Sequence, residues 1–567
     1  MAKSAALVGA GGLLGAIAGA AVVSAVAAPL LAQAVATGID FDAVASAVDL
    51  DAIAGGVDLG GAGDLVSGAG EAVSGIGEQG APALAAPPAD TSDLTEAVTA
   101  AGLQTHLDAL QAIATANGGN RAAGTPGYLA SLEYVEEALG EAGYLTQRQP
   151  FSYELIDYEG STLDQTAPGD ESYAFEDDFY PMEYTGSGTV EAAVQAVDVN
   201  LSGDRASTSG CESADFAGFL AGSIALIQRG SCDFSVKATN AVAAGAVGVV
   251  IFNQGNDVEG DDRFGVFGGT LGTSTWTATP VPVISTSFEV GEEFVGTAGL
   301  VLRIDVVTNS TTIDTWNLLA DTPTGRTDRT VVVGAHLDSV PAGPGINDNG
   351  SGTASLMETA LQLADLGIET ENRIRFAFWG GEEDGLQGSN HYVAQLSKAE
   401  VKEHLVNLNF DMLGSPNGGR FVYDGDGDAF GTTGPNGSDV VEGVFDGWFA
   451  SQNLVTEPTA FDGRSDYFAF IGAGIPAGGL FSGAEDIKTA EQVTKFGGTA
   501  GVALDPCYHQ ACDTSTNINP VLFEQLADAA AHATLVFADT QSSVNGTAKG
   551  KALGQWSPAF KGDRALR

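Results

Sequence analysis

Between residues 330 and 414 short apolar runs alternate with a helical stretch, and that order limits the available folds more than any other feature of the chain. "TVVVGAHLDSV", "RIRFAFWGG" and "HLVNLNFDMLG" read as buried strands, while "TASLMETALQLADLG", between the first two, repeats its apolar residues at helical spacing. Neighbouring parallel strands must be joined by a crossover, and a helix is its usual form. The order therefore predicts an α/β domain. Its sheet is mixed and largely parallel, it is flanked by helices, and ligands gather at the carboxyl ends of the strands. Two amphipathic helices are expected upstream. "LQTHLDALQAIATANGG" carries Leu103, Leu107, Leu110 and Ile113 at helical spacing, "ASLEYVEEALGEAGY" repeats the pattern, and each run stops at glycine.

Polar residues collect where these strands stop. His336 and Asp338 close the first, Asp348 follows in "GINDNGSG" ahead of the helix, Glu382 and Glu383 close the next, Asp411 ends "NLNFD", and His509 lies in "CYHQACD". Singly each has an ordinary explanation: Asp348 could cap a helix, and a lone histidine is more often packed than ligating. As a set of imidazoles and carboxylates they suit zinc. Two histidines and three carboxylates suffice for two ions if one carboxylate bridges, an arrangement that places the ions roughly 3.5–4 Å apart.

The remaining chain divides by composition. Residues 1–36 open with Lys3 and the apolar "AALVGAGGLLGAIAGAAVVSAVAA", followed by small-residue sites at 25–27 and 32–34. They read as a cleaved signal peptide rather than a membrane anchor, because the Gly/Ala-rich run is only weakly hydrophobic. Residues 37–92 carry few large apolar side chains and read as a low-complexity leader or propeptide. Residues 93–180 and 306–540 carry the helical and strand runs described above. Between them, residues 181–305 carry a strand ("GSIALIQRG"), a helix ("DFSVKATNAVAAGA") and a buried strand ("VGVVIFN"). Residues 541–567 form a basic tail, disordered or trimmed.

Net charge is −50, from 73 acidic against 23 basic residues. That excess excludes nucleic acid and anionic membrane surfaces as partners and suits an extracellular or high-salt setting. Four cysteines in an exported chain allow two disulfides in three connectivities; the local pairs Cys211–Cys232 and Cys507–Cys512 are expected. "YDGDGDAFGTTGPNGSD" invites a calcium reading, but the twelfth position counted from Asp424 is Pro435 and not the acid an EF-hand needs, so it reads as a surface loop.

Seven motifs in order, "GAHLDSV", "GINDNGSG", "WGGEEDGLQGS", "NFDMLGSPN", "FDGRSDYFAF", "GGLFSGAE" and "CYHQACD", make the chain resemble the secreted, actinomycete-type aminopeptidases of metallopeptidase family twenty-eight. The likeness covers roughly residues 93–180 and 306–540, which it implies are the first and second parts of a catalytic domain, and it implies the zinc exopeptidase fold with two zinc ions. His336 and Asp411 would hold one ion, Glu383 and His509 the other, with Asp348 bridging. Asp338 would accept the second ring N–H of His336. Glu382 would be the general base, moving a proton from the attacking water to the leaving amine, and Tyr508 would donate to the oxyanion. Met412 and Phe481 match positions near the apolar side-chain pocket, and Arg464 matches a substrate-contacting position. The Cys507–Cys512 bridge would pin the loop bearing Tyr508 and His509. Some relatives carry a structural calcium, for which no position is assigned here.

"GSIALIQRGSCDFSVKATNAVAAGAVGVVIFN" resembles a protease-associated domain, a β-rich α+β module inserted near the mouth of the site. The resemblance therefore implies a secreted, monomeric zinc aminopeptidase. It would remove large apolar, leucine-like residues from peptides with a free N-terminus and hold no stable membrane association after signal cleavage. A carboxypeptidase on the same fold would need cationic groups for a C-terminal carboxylate, and Arg464 is the one obvious candidate. A non-catalytic, receptor-like homologue would be expected to have lost ligands or base, and all are present.

Overall fold

A computed structural model describes residues 90–256, 263–271, 281–541 and 544. The expected signal peptide, nearly all of the leader and nearly all of the basic tail lie outside the described residues.

Two eight-stranded sheets organise the chain. The first contains β1 (Leu145–Asp157), β2 (Asn309–Asp321), β3 (Arg326–His336), β4 (Asn372–Trp379), β5 (His404–Phe410), β6 (Phe421–Tyr423), β7 (Glu457–Thr459) and β8 (Ala477–Phe481), in spatial order β1-β2-β4-β3-β5-β8-β6-β7. The central β4-β3-β5-β8 ladder is parallel, β2 and β6 run antiparallel to their central neighbours β4 and β8, and β1 runs antiparallel to β2. Alternate side chains of the central strands bury on opposite faces, as a strand period of two requires. Val331, Val333 and Ala335 join one core, with helices Ala100–Ala116, Pro126–Glu141, Gly352–Asp365 and Pro520–Asp539. Val332, Ala377 and Trp379 face another, closed by Gln387–Gln395 and Tyr467–Gly472. Pro520–Asp539 is the one described helix long and apolar enough to cross a membrane by length and composition. Here it is a core helix, with Leu526, Ala530 and Phe537 buried against the sheet side.

The second sheet is the insert. Its strands Gly188–Val197, Ile224–Gln228, Gly248–Phe252 and Val283–Thr286 are parallel, and alternate residues bury against helices Phe234–Ala243 and Phe288–Gly296 on opposite sides. Three short strands, Thr162–Ala167, Glu171–Tyr173 and Phe179–Pro181, belong to this sheet as well. The insert's pairing thus begins ahead of residue 181, because Thr162–Ala167 finds its partner in Val301–Val306, near the insert's far end. That pairing is long-range and leaves no local pattern. The Cys211–Cys232 bond closes a 21-residue span within the insert.

β1 and β2 pair along 13 residues, but β2 meets β4 only over its last four, Leu318–Asp321. The rest of the pair stands as a two-stranded stalk linking the sheets.

Candidate active site

The parallel register aligns the strand ends. His336 lies opposite Trp379, and Gly334 lies opposite Asn409, so the residues following β3, β4 and β5 emerge side by side. His336 ends β3. Glu382 and Glu383 follow β4 across Gly380 and Gly381, the latter at φ 71, a left-handed backbone that glycine adopts without penalty. Asp411 follows β5. Asp348 arrives on the loop before helix Gly352–Asp365, and His509 on the loop closed by the Cys507–Cys512 disulfide. All of these except His509 are buried, and its side chain is nearly so.

The loops converge on one carboxylate. Asp348 sets Oδ1 3.1 Å from Nε2 of His336 and Oδ2 3.1 Å from Nε2 of His509. Asp411 Oδ1 stands 3.3 Å from His336 Nε2, and Glu383 Oε2 stands 3.0 Å from His509 Nε2. Glu382 Oε2 is farther, 3.8 Å from His336. So each imidazole faces Asp348 and one carboxylate of its own, with Glu382 beside them.

This set fits a bound metal on an observation independent of the motifs. Asp411 Oδ1 and Glu383 Oε1 are buried and make no hydrogen bond, although buried polar atoms are almost always paired. Imidazole and carboxylate are zinc's ligand types. Electrostatics agree. Burial pushes the Glu383 carboxyl up to about 7 against the opposing pull of His509, and burial also drives Glu382 well above the usual carboxylate range, Asp411, Asp466 and Glu383 adding to it. Burial works against charging His509, but Glu383 and Asp348 raise it to about 10. A buried excess of carboxylates over imidazoles is costly without a cation.

Asp338, which the resemblance sets behind His336, meets that ring with both its backbone and its carboxylate. The Nδ1 atom of His336 lies 3.2 Å from the backbone carbonyl oxygen of Asp338 and 3.7 Å from its carboxylate. The carboxylate also accepts the backbone N–H groups of Glu382 (3.2 Å) and Glu383 (3.3 Å), so one residue orients the imidazole and holds the neighbouring turn.

Several supporting residues carried no readable motif. Buried Arg121 donates to the carbonyls of Pro344 (2.8 Å), Gly345 (2.6 Å) and Leu337, pinning both ends of the loop between His336 and Asp348. Asp513 accepts the N–H groups of Asn347 (2.8 Å) and Asp348 (3.0 Å). Asp505 accepts from Asn347 Nδ2 (2.6 Å) and the Cys507 N–H (2.9 Å). Ser465 donates to Asp411 Oδ2 (2.6 Å). An arginine in a Gly/Asn-rich loop and an aspartate just after Cys512 were the only hints.

Met412, Phe481, Tyr423 and Leu386 line a pocket that opens onto the carboxylates, with Arg464 and Tyr508 at its side. Met412 sits at φ 51 and donates its N–H to Asn349 Oδ1 at 3.3 Å. Arg464 is bound to Glu485 at 2.8 Å and donates to the Tyr508 oxygen at 3.1 Å; the Tyr508 ring stacks on that of His509 with centroids 3.8 Å apart. Elsewhere Asp424, Asp426 and Glu442 come together in the loop that invited a calcium reading. The Asp424 carboxylate accepts the N–H groups of Gly427, Ala429 and Phe430, and that of Glu442 accepts those of Gly425 and Asp426, so the loop's own backbone occupies these acids.

Comparison with known proteins gives a consistent result. Residues 317–534 match Peptidase family M28, and residues 192–294, lying ahead of that match, fit the PA domain. An aminopeptidase of Pseudomonas aeruginosa is 48% identical over 444 residues, covering 78% of this chain and 81% of the relative. The probable lipoprotein aminopeptidase LpqL of Mycobacterium tuberculosis is 39% identical, covering 80% and 88%, and leucine aminopeptidase 2 of Trichophyton equinum is 39% identical, covering 70% and 76%. Among solved structures, an aminopeptidase from Aneurinibacillus sp. strain AM-1 superposes with TM-score 0.62 at 26% identity, covering 80% of this chain and 98% of the other. A zinc aminopeptidase from Bacillus subtilis gives 0.53 at 25%, covering 79% and 97%. Identity of that order across three quarters of the chain settles the kinship: this protein is an aminopeptidase of Peptidase family M28 with an inserted PA domain.

Proposed function

We propose that the protein removes large apolar, leucine-like N-terminal residues from peptides with two zinc ions and Glu382 as general base. The observation that carries this reading is Asp348 held between two histidines, each facing a further carboxylate. His336 and Asp411 would hold one ion, His509 and Glu383 the other, with Asp348 shared. Bound there, zinc supplies Lewis acidity toward the scissile carbonyl and toward water.

The chain's own residues supply the rest. Glu382 accepts the proton of the attacking water and returns it to the leaving amine; its buried position favours holding a proton between those events. Tyr508 donates to the developing oxyanion, and the hydrogen bond its oxygen accepts from Arg464 polarises the O–H group. Met412, Phe481, Tyr423 and Leu386 exclude water around an apolar side chain. A crowd of carboxylates favours a substrate ammonium over a substrate carboxylate. Arg464, the cation a carboxypeptidase would need, is already engaged by Glu485. These points support the aminopeptidase reading over the carboxypeptidase one.

Two disulfides favour an oxidising compartment, which supports secretion, and the protein acts as a monomer without stable membrane attachment. Purified protein should cleave leucine p-nitroanilide but not its N-acetylated form. EDTA should abolish the activity and zinc should restore it. Cleavage of the acetylated substrate, or activity that survives exhaustive chelation, would refute the proposal.

A further inference from the structure

The Tyr153 side chain touches both ends of the turn that carries Glu382 and Glu383. Its hydroxyl donates to Asp384 Oδ2 at 2.5 Å, just past Glu383. Its ring lies against Gly381, just before Glu382: a Cβ at that glycine would come within 3.0 Å of the ring and of the phenolic oxygen. Between these contacts the turn closes on itself, the N–H groups of Gly385 and Leu386 donating to the Glu382 carbonyl at 2.8 Å and that of Gln387 to Gly381 at 2.9 Å. From the opposite direction Asp338 takes the two N–H groups of Glu382 and Glu383. The pair of acids is thus held between a carboxylate at the sheet and a phenol on the stalk.

Tyr153 lies on the stalk itself. It pairs with Ile313, on the part of β2 that has left the central sheet, four residues before β1 ends. Burial, with the charge of Asp384 added, raises the phenol far above its ordinary range, so it remains a donor.

We infer that Tyr153 is a positioning residue for the general base, acting through Asp384 and Gly381 to set the Glu382–Glu383 turn from the stalk that bears the inserted domain. This rests on Glu382 being the base. A positioning residue leaves substrate affinity and metal binding in place and changes the geometry of attack, so its loss falls on kcat. The contact is one unit, so its two members should not act additively.

The test compares Tyr153→Phe, Asp384→Asn and the double variant with Glu382→Gln in the zinc-loaded full chain. The readouts are kcat and KM on leucine p-nitroanilide, zinc content, and amide exchange of residues 380–387. Tyr153→Phe should lower kcat about tenfold with KM within about twofold and zinc content unchanged. The double variant should be no worse than the worse single, and exchange across 380–387 should rise while that of β5 stays as it was. Unchanged kcat in Tyr153→Phe, additive losses, or unchanged exchange would overturn the inference. If Glu382→Gln stays fully active, the base assignment falls and the kinetic part of the inference falls with it. The exchange result then still reports separately on the contact.

Discussion

The Asp513 carboxylate accepts the backbone N–H of Asp348 at 3.0 Å, which fastens the loop carrying Asp348 to the loop carrying His509. The same carboxylate takes the Asn347 N–H. Partners behind the ligands commonly set metal affinity as strongly as the ligands' own orientation. Replacing Asp513 with alanine strands both N–H groups and loosens the loop. Zinc affinity should fall about 10- to 100-fold, read by titration against a competing chelator, and excess zinc should recover most of the activity.

Glu382 stands 3.8 Å from His336, farther from an imidazole than Asp348, Asp411 and Glu383 are. Glu382→Gln keeps the shape and removes the proton acceptor. General acid–base catalysis contributes about 10²- to 10⁴-fold, so kcat should fall by that amount, with KM and zinc content nearly unchanged. Glu383→Gln should instead lose zinc, which a metal assay separates cleanly.

Arg121 is buried and serves three carbonyls of the loop between His336 and Asp348. Its removal leaves these acceptors unpaired beside a group of carboxylates. Arg121→Ala should cost on the order of 3 kcal/mol of stability, seen as a lower denaturation midpoint, and Arg121→Lys should recover only part of it, since one ammonium cannot reach all three positions in the guanidinium's plane.

The two disulfides should have separable effects. Cys507–Cys512 spans five residues and Cys211–Cys232 spans 21, so the first constrains the unfolded chain less. Replacing Cys507 and Cys512 by serine should lower activity by more than tenfold with a small change in melting temperature, because the bridge holds Tyr508 and His509. Replacing Cys211 and Cys232 should do the reverse, destabilising the insert and sparing kcat on leucine p-nitroanilide.

His532 gives a pH dependence of stability. Burial lowers it to about 4, and its ring stacks on Trp448 at 4.5 Å with Nδ1 bonded to Thr91 Oγ1 at 2.7 Å. A histidine depressed in the folded state is more easily protonated when unfolded. Its contribution is therefore complete above pH about 6.5 and is lost progressively as pH falls toward 4. His532→Gln should flatten this part of the stability curve, measured as the difference between wild type and variant in denaturation midpoint at pH 7 and pH 4.5.

The local patterns of the sequence determined the parallel central sheet, its flanking helices and the polar residues that end its strands, because strand and helix periods and their breaks are written within runs of ten to twenty residues. The inserted module was legible for the same reason, through its strand–helix–strand run. What only the tertiary structure decided lies between residues far apart in the chain. Arg121 reaches Leu337 across 216 positions, Asp513 reaches Asp348 across 165, and Tyr153 reaches Asp384 across 231. Asp338 shows the difference within a single residue. The resemblance implied its contact with the imidazole two positions away, but only the packed strands bring its carboxylate to the N–H groups of Glu382 and Glu383, 44 and 45 positions away. Those N–H groups are buried at the end of β4 and need an acceptor, and that need arises only once the strands have packed.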